Sequence, residues 1–369
     1  MQKIYINGRF FTQKITGEQR YAIEMINALD ELLYKSSSNI FTWIILIPKN
    51  MELFQEIKKY KIIKIKKVGI LKGHLWEQIE LPFFSRSGML LNFCDMAPIL
   101  KKNQLVTIHD MAIMAHPEYY TRSFRYWHLF VYKCVVKRIK KICTVSNFSK
   151  SELEKYLKID GNKIEVINCA CATHLNNQKV YNRDFIEKNK IDLNKHVVLA
   201  VSSLSPNKNF KTIIESLKYI KDKDLELVIA GGVNSKEFIT SDNEHLKKAK
   251  YVGYVSDEEL ITLYKIANCF VYPSFYEGFG LPPIEAMSYG CPVIVSNQTA
   301  LPEVCGEAVE YCDPNDPVNL AKIIDKVLSN KNLQEKLKEK SLICVSKYSW
   351  EKSIREYFNL IMRILKDEE

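Results

Sequence analysis

The chain has 369 residues, 47% of them hydrophobic and 26% charged, with a formal net charge of +10. That length suits two domains of roughly 150–200 residues each, the composition is that of a globular protein, and no apolar run approaches the ~20 residues a membrane-spanning helix needs. The start MQKIYINGRF lacks a signal-peptide core, and ten scattered cysteines read as reduced thiols of a cytoplasmic protein, with CAC at 169–171 lacking a partner pair for zinc.

In chain order, KIYIN (3–7) reads as a strand. Ala22, Met25, Ile26, Leu29, Leu32 and Leu33 then recur at helical spacing, behind a capping box of Thr16 and Gln19. FTWIILIP (41–48), QLVTIHD (104–110), KICTVS (141–146) and KIEVIN (163–168) read as buried strands. Continuous apolar runs of this kind belong to a parallel sheet covered on both faces by helices. A polar stretch, roughly 172–195, interrupts the pattern as a linker. A second series follows: strand HVVLAVSS, helix NFKTIIESLKYI, strand LELVIAGG, helix SDEELITLYKIA capped by Ser256 and Glu259, and strands CFVYPS and CPVIVS around a short helix. No internal repeat or low-complexity segment interrupts either series. The expected fold is α/β, with two Rossmann-like parallel-sheet domains. The first covers 1–175 plus a C-terminal helix at about 350–369 that crosses back, and the second covers 190–349.

The stretch FVYPSFYEGFGLPPIEAMSYGCPVIVS (270–296) concentrates the chemistry. A strand ends, a loop carries Glu277, Gly278, Phe279 and Gly280, and Leu281, Pro282 and Pro283 open a helix that Gly290 ends. The loop lies at the carboxyl end of a parallel strand, where open α/β sheets bind ligands. Glycines let backbone N–H groups approach a ligand, and a helix N-terminus favours phosphate. Carboxylates beside such a seat suit hydroxyl groups. Glu277 and Glu285 therefore point to a ligand with phosphate in the middle and polyols on either side, a nucleotide sugar. The alternative leaves Glu285 complementing the helix dipole and Glu277 in a surface loop.

EGFGLPPIEAMSYGCPVI resembles the signature of glycosyltransferase family 4, two glutamates separated by seven residues. TGEQRYAIEM, VTIHDMAIMAHPEYY, CTVSNFSKSEL, VSSLSPNKN, YVGYVSDEEL and LPEVCGEAVEYCDPNDP are similar to further landmarks of that family, in order along nearly the whole chain. The resemblance implies the GT-B fold, two such domains facing a central cleft. It also implies a nucleoside-diphosphate sugar as co-substrate, retention of anomeric configuration, and no metal or other cofactor. It places Gly17 and Lys208 at the diphosphate, with the amides of Gly278, Phe279, Gly280 and Leu281. Glu285 falls on the ribose, and Glu277 and His109 on the transferred sugar. Asp110 orients His109 or caps the following turn. Relatives carry an arginine near Lys208 where this chain has Ser203 and Asn207, so one positive charge is missing. The acidic DKD at 222–224 imitates a metal triplet but reads as a solvated turn, and no other Asp/Glu/His cluster has metal spacing.

Residues 1–180 hold 28 Lys and Arg against 15 Asp and Glu, a net of +13, while the remainder is net −3. KKYKIIKIKK (58–67) and FRYWHLFVYKCVVKRIKK (124–141) concentrate that excess. Such runs suit an anionic membrane surface or nucleic acid, or are simply solvated faces. The expectation is a peripheral enzyme at the inner face of the plasma membrane that extends a saccharide on a polyprenyl-diphosphate carrier, as in O-antigen or capsule synthesis. The rivals are a sugar-nucleotide epimerase or phosphorylase on the same scaffold, and a basic nucleic-acid-binding protein.

Overall fold

The computed structural model describes residues 2–36, 40–54, 57–171, 180–203, 205–232 and 249–366. The chain divides into two compact units. Unit 1 comprises 1–111, 125–169 and 349–369, and unit 2 comprises 112–124 and 170–348.

Unit 1 begins with β1 (Gln2–Asn7) and α1 (Gly17–Lys35), then β2 (Phe41–Pro48) and β3 (Lys64–Val68). Next come α2 (Gly73–Leu75), a π-helical turn (Trp76–Glu80), α3 (Leu81–Phe84), β4 (Gly88–Asn92) and β5 (Gln104–Thr107). After α4 (Ala112–Ala115), an excursion grouped with unit 2, the chain runs into α5 (Arg122–Val136), β6 (Ile142–Thr144), α6 (Asn147–Leu157) and β7 (Ile164–Val166). The seven strands order β3-β2-β1-β4-β5-β6-β7, all in parallel register. Their inner strands are the apolar runs of the sequence: β2 and β4 bury nearly every side chain. The edge strand β3, KIKKV, exposes its first four residues.

Unit 2 runs α7 (Arg183–Lys188), β8 (His196–Val201), α8 (Phe210–Ser216), β9 (Leu225–Ala230), β10 (Lys250–Gly253), α9 (Asp257–Ile266) and β11 (Cys269–Tyr272). It continues with α10 (Leu281–Ser288), β12 (Val293–Ser296), α11 (Leu301–Cys305), β13 (Glu310–Cys312), α12 (Pro317–Ser329) and α13 (Lys331–Val345). Its six strands order β10-β9-β8-β11-β12-β13, again all parallel. One face of the sheet packs on α8 and α12 through Val198, Ala200, Ile213, Ile229, Val271 and Ile324. The last helix, α14 (Trp350–Lys366), belongs to unit 1, where Tyr357 packs against Phe93 with ring centroids 5.1 Å apart.

Both expected capping boxes form. Gln19 Oε1 accepts from the Thr16 N–H at 3.0 Å, and Ser256 and Glu259 cap each other at 2.7 and 3.2 Å. Part of the expected linker is structured: α7 buries Phe185 and Ile186 and is capped by Asn182. Its polar exterior hides a two-residue apolar anchor, too short a pattern to show helical periodicity. Residues 172–179 of the same stretch lie outside the described residues.

Candidate active site

In each sheet the strand order reverses once, between β1 and β4 in unit 1 and between β8 and β11 in unit 2. The carboxyl ends of strands at such a reversal open a crevice in which parallel sheets bind ligands. The candidate residues sort onto these two edges.

In unit 2 the loops after β8 and β11 are tied together. Asn209 adopts left-handed backbone, φ 58°, so that its amide donates to the carbonyls of Pro273 at 2.9 Å and Pro314 at 2.7 Å. The Asn207 carbonyl accepts the Phe275 N–H at 2.8 Å. With the loops fixed, Lys208 Nζ donates to Glu277 Oε1 at 2.6 Å and to the Tyr272 hydroxyl at 3.1 Å. The Lys208 and Glu277 side chains are 17% and 9% exposed. Glu277 is therefore not the surface-loop residue of the alternative reading. Burial lowers the Lys208 ammonium's pKa, but the adjacent Glu277 charge outweighs burial and holds it above the ordinary lysine range. In the same loop, the buried Ser274 hydroxyl has no hydrogen-bond partner among the described residues.

Gly280 is the N-cap of α10 at φ 98°, and an added Cβ would stand 2.6 Å from Leu301 Cδ2. Conformation and packing both require glycine there. Pro282 and Pro283 carry no N–H, so the amides opening this helix come from Gly280 and Leu281. Phe279 turns its ring inward against Tyr348, 5.4 Å away. Its side chain is a packing anchor for the loop. Glu285, one turn on, is 5% exposed and accepts from the Tyr264 hydroxyl at 3.0 Å. Tyr264 in turn stacks on Tyr289 at 6.1 Å. His116, in the 112–124 excursion, stands edge-on to Tyr276 at 5.5 Å, beside Glu277. The sequence reading passed it over, although it sits in the HPEYY that follows the His-Asp pair.

In unit 1, His109 and Asp110 follow β5 as expected. The residue that holds the imidazole is Asp95, after β4: its Oδ1 accepts from the His109 backbone N–H and stands 2.8 Å from Nδ1. Asp95 has φ 39°, a left-handed conformation that aspartate tolerates better than most residues. Tyr21 meets the imidazole edge-on at 4.8 Å, and the buried Nε2 has no hydrogen-bond partner among the described residues. Burial lowers the imidazole's pKa, but the Asp95 charge and hydrogen bond outweigh it, and the net effect is upward. Burial, and then the Asp95 charge, push the Glu18 carboxyl up to about 8. Gly17 opens α1 one residue before Glu18.

Glu18, Asp95 and His109 bring donor atoms within 4.8 Å of one another. Local spacing could not show this convergence, because the three come from separate segments. Among these contacts, His109 Nδ1 and Asp95 Oδ1 stand at hydrogen-bond distance, 2.8 Å. A second polar network lies at the β1 end. Glu77, 1% exposed in the π turn, accepts from Arg9 Nε at 3.0 Å and Asn7 Nδ2 at 2.9 Å. DKD is the expected turn: the Asp224 N–H donates to Asp222 Oδ1 at 2.9 Å, while Asp222 Oδ2 lies 2.6 Å from His196 Nδ1.

Residues 182–342 match the family described as Glycosyl transferases group 1. O-antigen chain mannosyltransferase B of Escherichia coli is 30% identical over 273 residues, 69% of each chain. O-antigen chain mannosyltransferase RfbU of Salmonella typhimurium is 35% identical over 222 residues, 59% of this chain and 58% of that protein. Sucrose-phosphate synthase from Thermosynechococcus elongatus superposes with a TM-score of 0.76 over 100% of both chains at 17% identity, a likeness of fold. The paired parallel sheets are the GT-B architecture.

Proposed function

The chain belongs to the group 1 glycosyltransferases, and from that premise we propose that it moves a hexosyl group from a nucleoside-diphosphate sugar to a lipid-linked saccharide with retention and without a metal. The O-antigen mannosyltransferases among its relatives make mannose the first sugar to test. The observation that carries the reading is the Lys208–Glu277 pair at the carboxyl ends of β8 and β11, beside the glycine-opened start of α10.

Each group has a part suited to its surroundings. Lys208, held protonated, neutralises the charge that grows on the leaving diphosphate as the glycosidic bond breaks. The amides of Gly280 and Leu281 seat the phosphates. Glu277 accepts from hydroxyls of the transferred sugar, and Glu285 from the ribose. Within unit 1, Asp95 orients His109, with Asp110 next to it, so that Nε2 is left for a sugar hydroxyl, and the Gly17 amide at the start of α1 suits an anion. The leaving phosphate oxygen takes the acceptor's proton on the face where the bond breaks, while the oxocarbenium-like sugar is stabilised electrostatically.

Docking of unit 1 on an anionic membrane fits a lipid-linked acceptor. On α5, Tyr126 and Phe130 are 62% and 55% exposed, with Lys133 on the same face and exposed Lys137 just past the end of the helix. Among the described residues no helix is long and apolar enough to cross a membrane. The test is incubation with guanosine, uridine and thymidine diphosphate sugars and a polyprenyl-diphosphate saccharide, with NMR of the product anomer. Transfer with retention, and nucleotide release only when acceptor is present, is expected. Inversion overturns the stereochemistry, and an acceptor-independent change in the configuration of the donor's sugar favours an epimerase.

A further inference from the structure

The lysine run 58–67 and the helical segment after it are not used by the site, and Lys64 and Lys66 of β3 share the sheet face on which that segment packs. Between Glu56 and Glu77 the chain has seven lysines and no acidic residue. β3 exposes Lys64, Lys66 and Lys67 at the sheet edge. The segment from α2 through the π turn to α3 then shows Leu75, Ile79 and Phe83 at 61%, 59% and 58% exposure. These residues are four apart. The i→i+5 bonding of the π turn winds the chain slightly wider than an α-helix, so every fourth residue returns close to the same line. The opposite side is buried: Trp76 and Leu81 are fully enclosed, and the Trp76 indole donates to the Val68 carbonyl at 3.0 Å.

Both carboxylates of this segment are committed elsewhere. Glu77 is buried on Arg9. Glu80 accepts the N–H groups of Ile70 at 3.0 Å and Leu71 at 2.9 Å. The Ile70–Leu71 loop turns at Gly69, φ 79°, so close that a Cβ there would meet Glu80 Oε2 at 2.2 Å. Ile70, 72% exposed, is thus displayed on a backbone that is itself tied down. Arg86 lies over the Phe83 ring at 4.9 Å. The face is therefore apolar in the middle and cationic at its margins, with its acids turned inward. It is continuous with α5: His74 meets Trp127 at 5.8 Å, and Trp127 meets Phe130 at 6.3 Å.

We propose that Leu75, Ile79 and Phe83, with Ile70, lie in the headgroup layer of an anionic lipid surface, and that Lys64, Lys66 and Lys72 bind the lipid headgroups around them. This rests on the reading that the acceptor is lipid-linked, and adds to the α5 contact an inserted apolar one. A second copy of the chain fits less well, since an isologous contact would set these lysines against their own copies. An anionic bilayer takes both the apolar stripe and the charge.

The test compares the full chain with Leu75→Gln/Ile79→Gln/Phe83→Gln and with Lys133→Glu/Lys137→Glu, using phosphatidylcholine vesicles with and without phosphatidylglycerol at low and high salt. Wild type pellets with anionic vesicles and keeps part of that binding at high salt. The triple variant binds at least ~10-fold more weakly and loses the salt-resistant part, because the inserted apolar area is gone. Its melting temperature and its activity on a short soluble acceptor stay unchanged. The α5 variant loses only salt-sensitive binding. Wild-type-like binding by the triple variant, with the α5 variant impaired, overturns this face while leaving the membrane reading standing. Absence of vesicle binding by wild type overturns both, and a dimer that the triple variant dissociates makes the face a self-contact instead.

Discussion

Removing the Lys208–Glu277 pair one partner at a time separates catalysis from support. The pair is short, 2.6 Å, and its side chains are 17% and 9% exposed. Deleting either partner leaves a nearly buried charge uncompensated, which costs ~3–5 kcal/mol of stability in comparable sites. Tyr272, which already shares the ammonium, softens that figure for Glu277 variants. Glu277→Gln and Lys208→Met should each lower the urea midpoint. The double variant should cost no more than either single one, because the charges leave together, so the cycle should give a coupling energy of at least ~3 kcal/mol, the size of one single loss. Turnover should behave differently. Each single variant should lose at least ~100-fold, the scale of one electrostatic contact at a developing charge, and the double should recover nothing. The assay is urea unfolding beside steady-state transfer. A double variant that regained both stability and turnover would make the pair a strut between the β8 and β11 loops, and the mechanism would be wrong.

Glu285→Ala should weaken donor binding by ~2 kcal/mol, the value of a lost charge-assisted bond; unchanged affinity in calorimetry, with stability lost as in Tyr264→Phe, would leave Glu285 only as a partner of Tyr264. Gly280→Ala should destabilise by more than ~1 kcal/mol, since the left-handed backbone and the Leu301 contact both oppose a Cβ, and a melting temperature within error of wild type would refute that. Activity should persist in EDTA; loss in EDTA with recovery on adding Mn²⁺ or Mg²⁺ would make the Glu18, Asp95 and His109 group a metal site after all. The raised Glu18 pKa means the folded state holds its proton more tightly than the unfolded chain, so that stability is present below about pH 4.5 and is lost as pH rises through about 8. Glu18→Gln should flatten thermal stability across that window, and an unchanged slope would assign the pH dependence elsewhere.

The strands legible in the sequence were those whose apolar runs are buried by helices, such as FTWIILIP, which is β2 residue for residue. β3 escaped because an edge strand need bury only one side, and KIKKV reads as a solvated lysine run. The Glu277 loop was legible because glycine and proline punctuate it locally. Its partnership with Lys208 was not, since the two meet from 69 residues apart through backbone bonds that carry no sequence signature. Asp95 was hidden for a related reason: it reaches His109 from a loop whose left-handed backbone no local pattern announces. The π turn at Trp76–Glu80 was equally silent, because its apolar spacing of four differs from α-helical spacing only in how it accumulates along the axis.

The central claim, that the β8–β11 edge of unit 2 is a nucleoside-diphosphate seat closed by Lys208, is tested most directly by calorimetric titration of wild type and Lys208→Met with GDP, UDP and dTDP. The account predicts saturable one-site binding of one of them to wild type and an affinity ~10–150-fold weaker in the variant, the loss expected for a hydrogen bond to a charged group. Equal affinity in both proteins, or no binding of any nucleoside diphosphate to wild type, would contradict it.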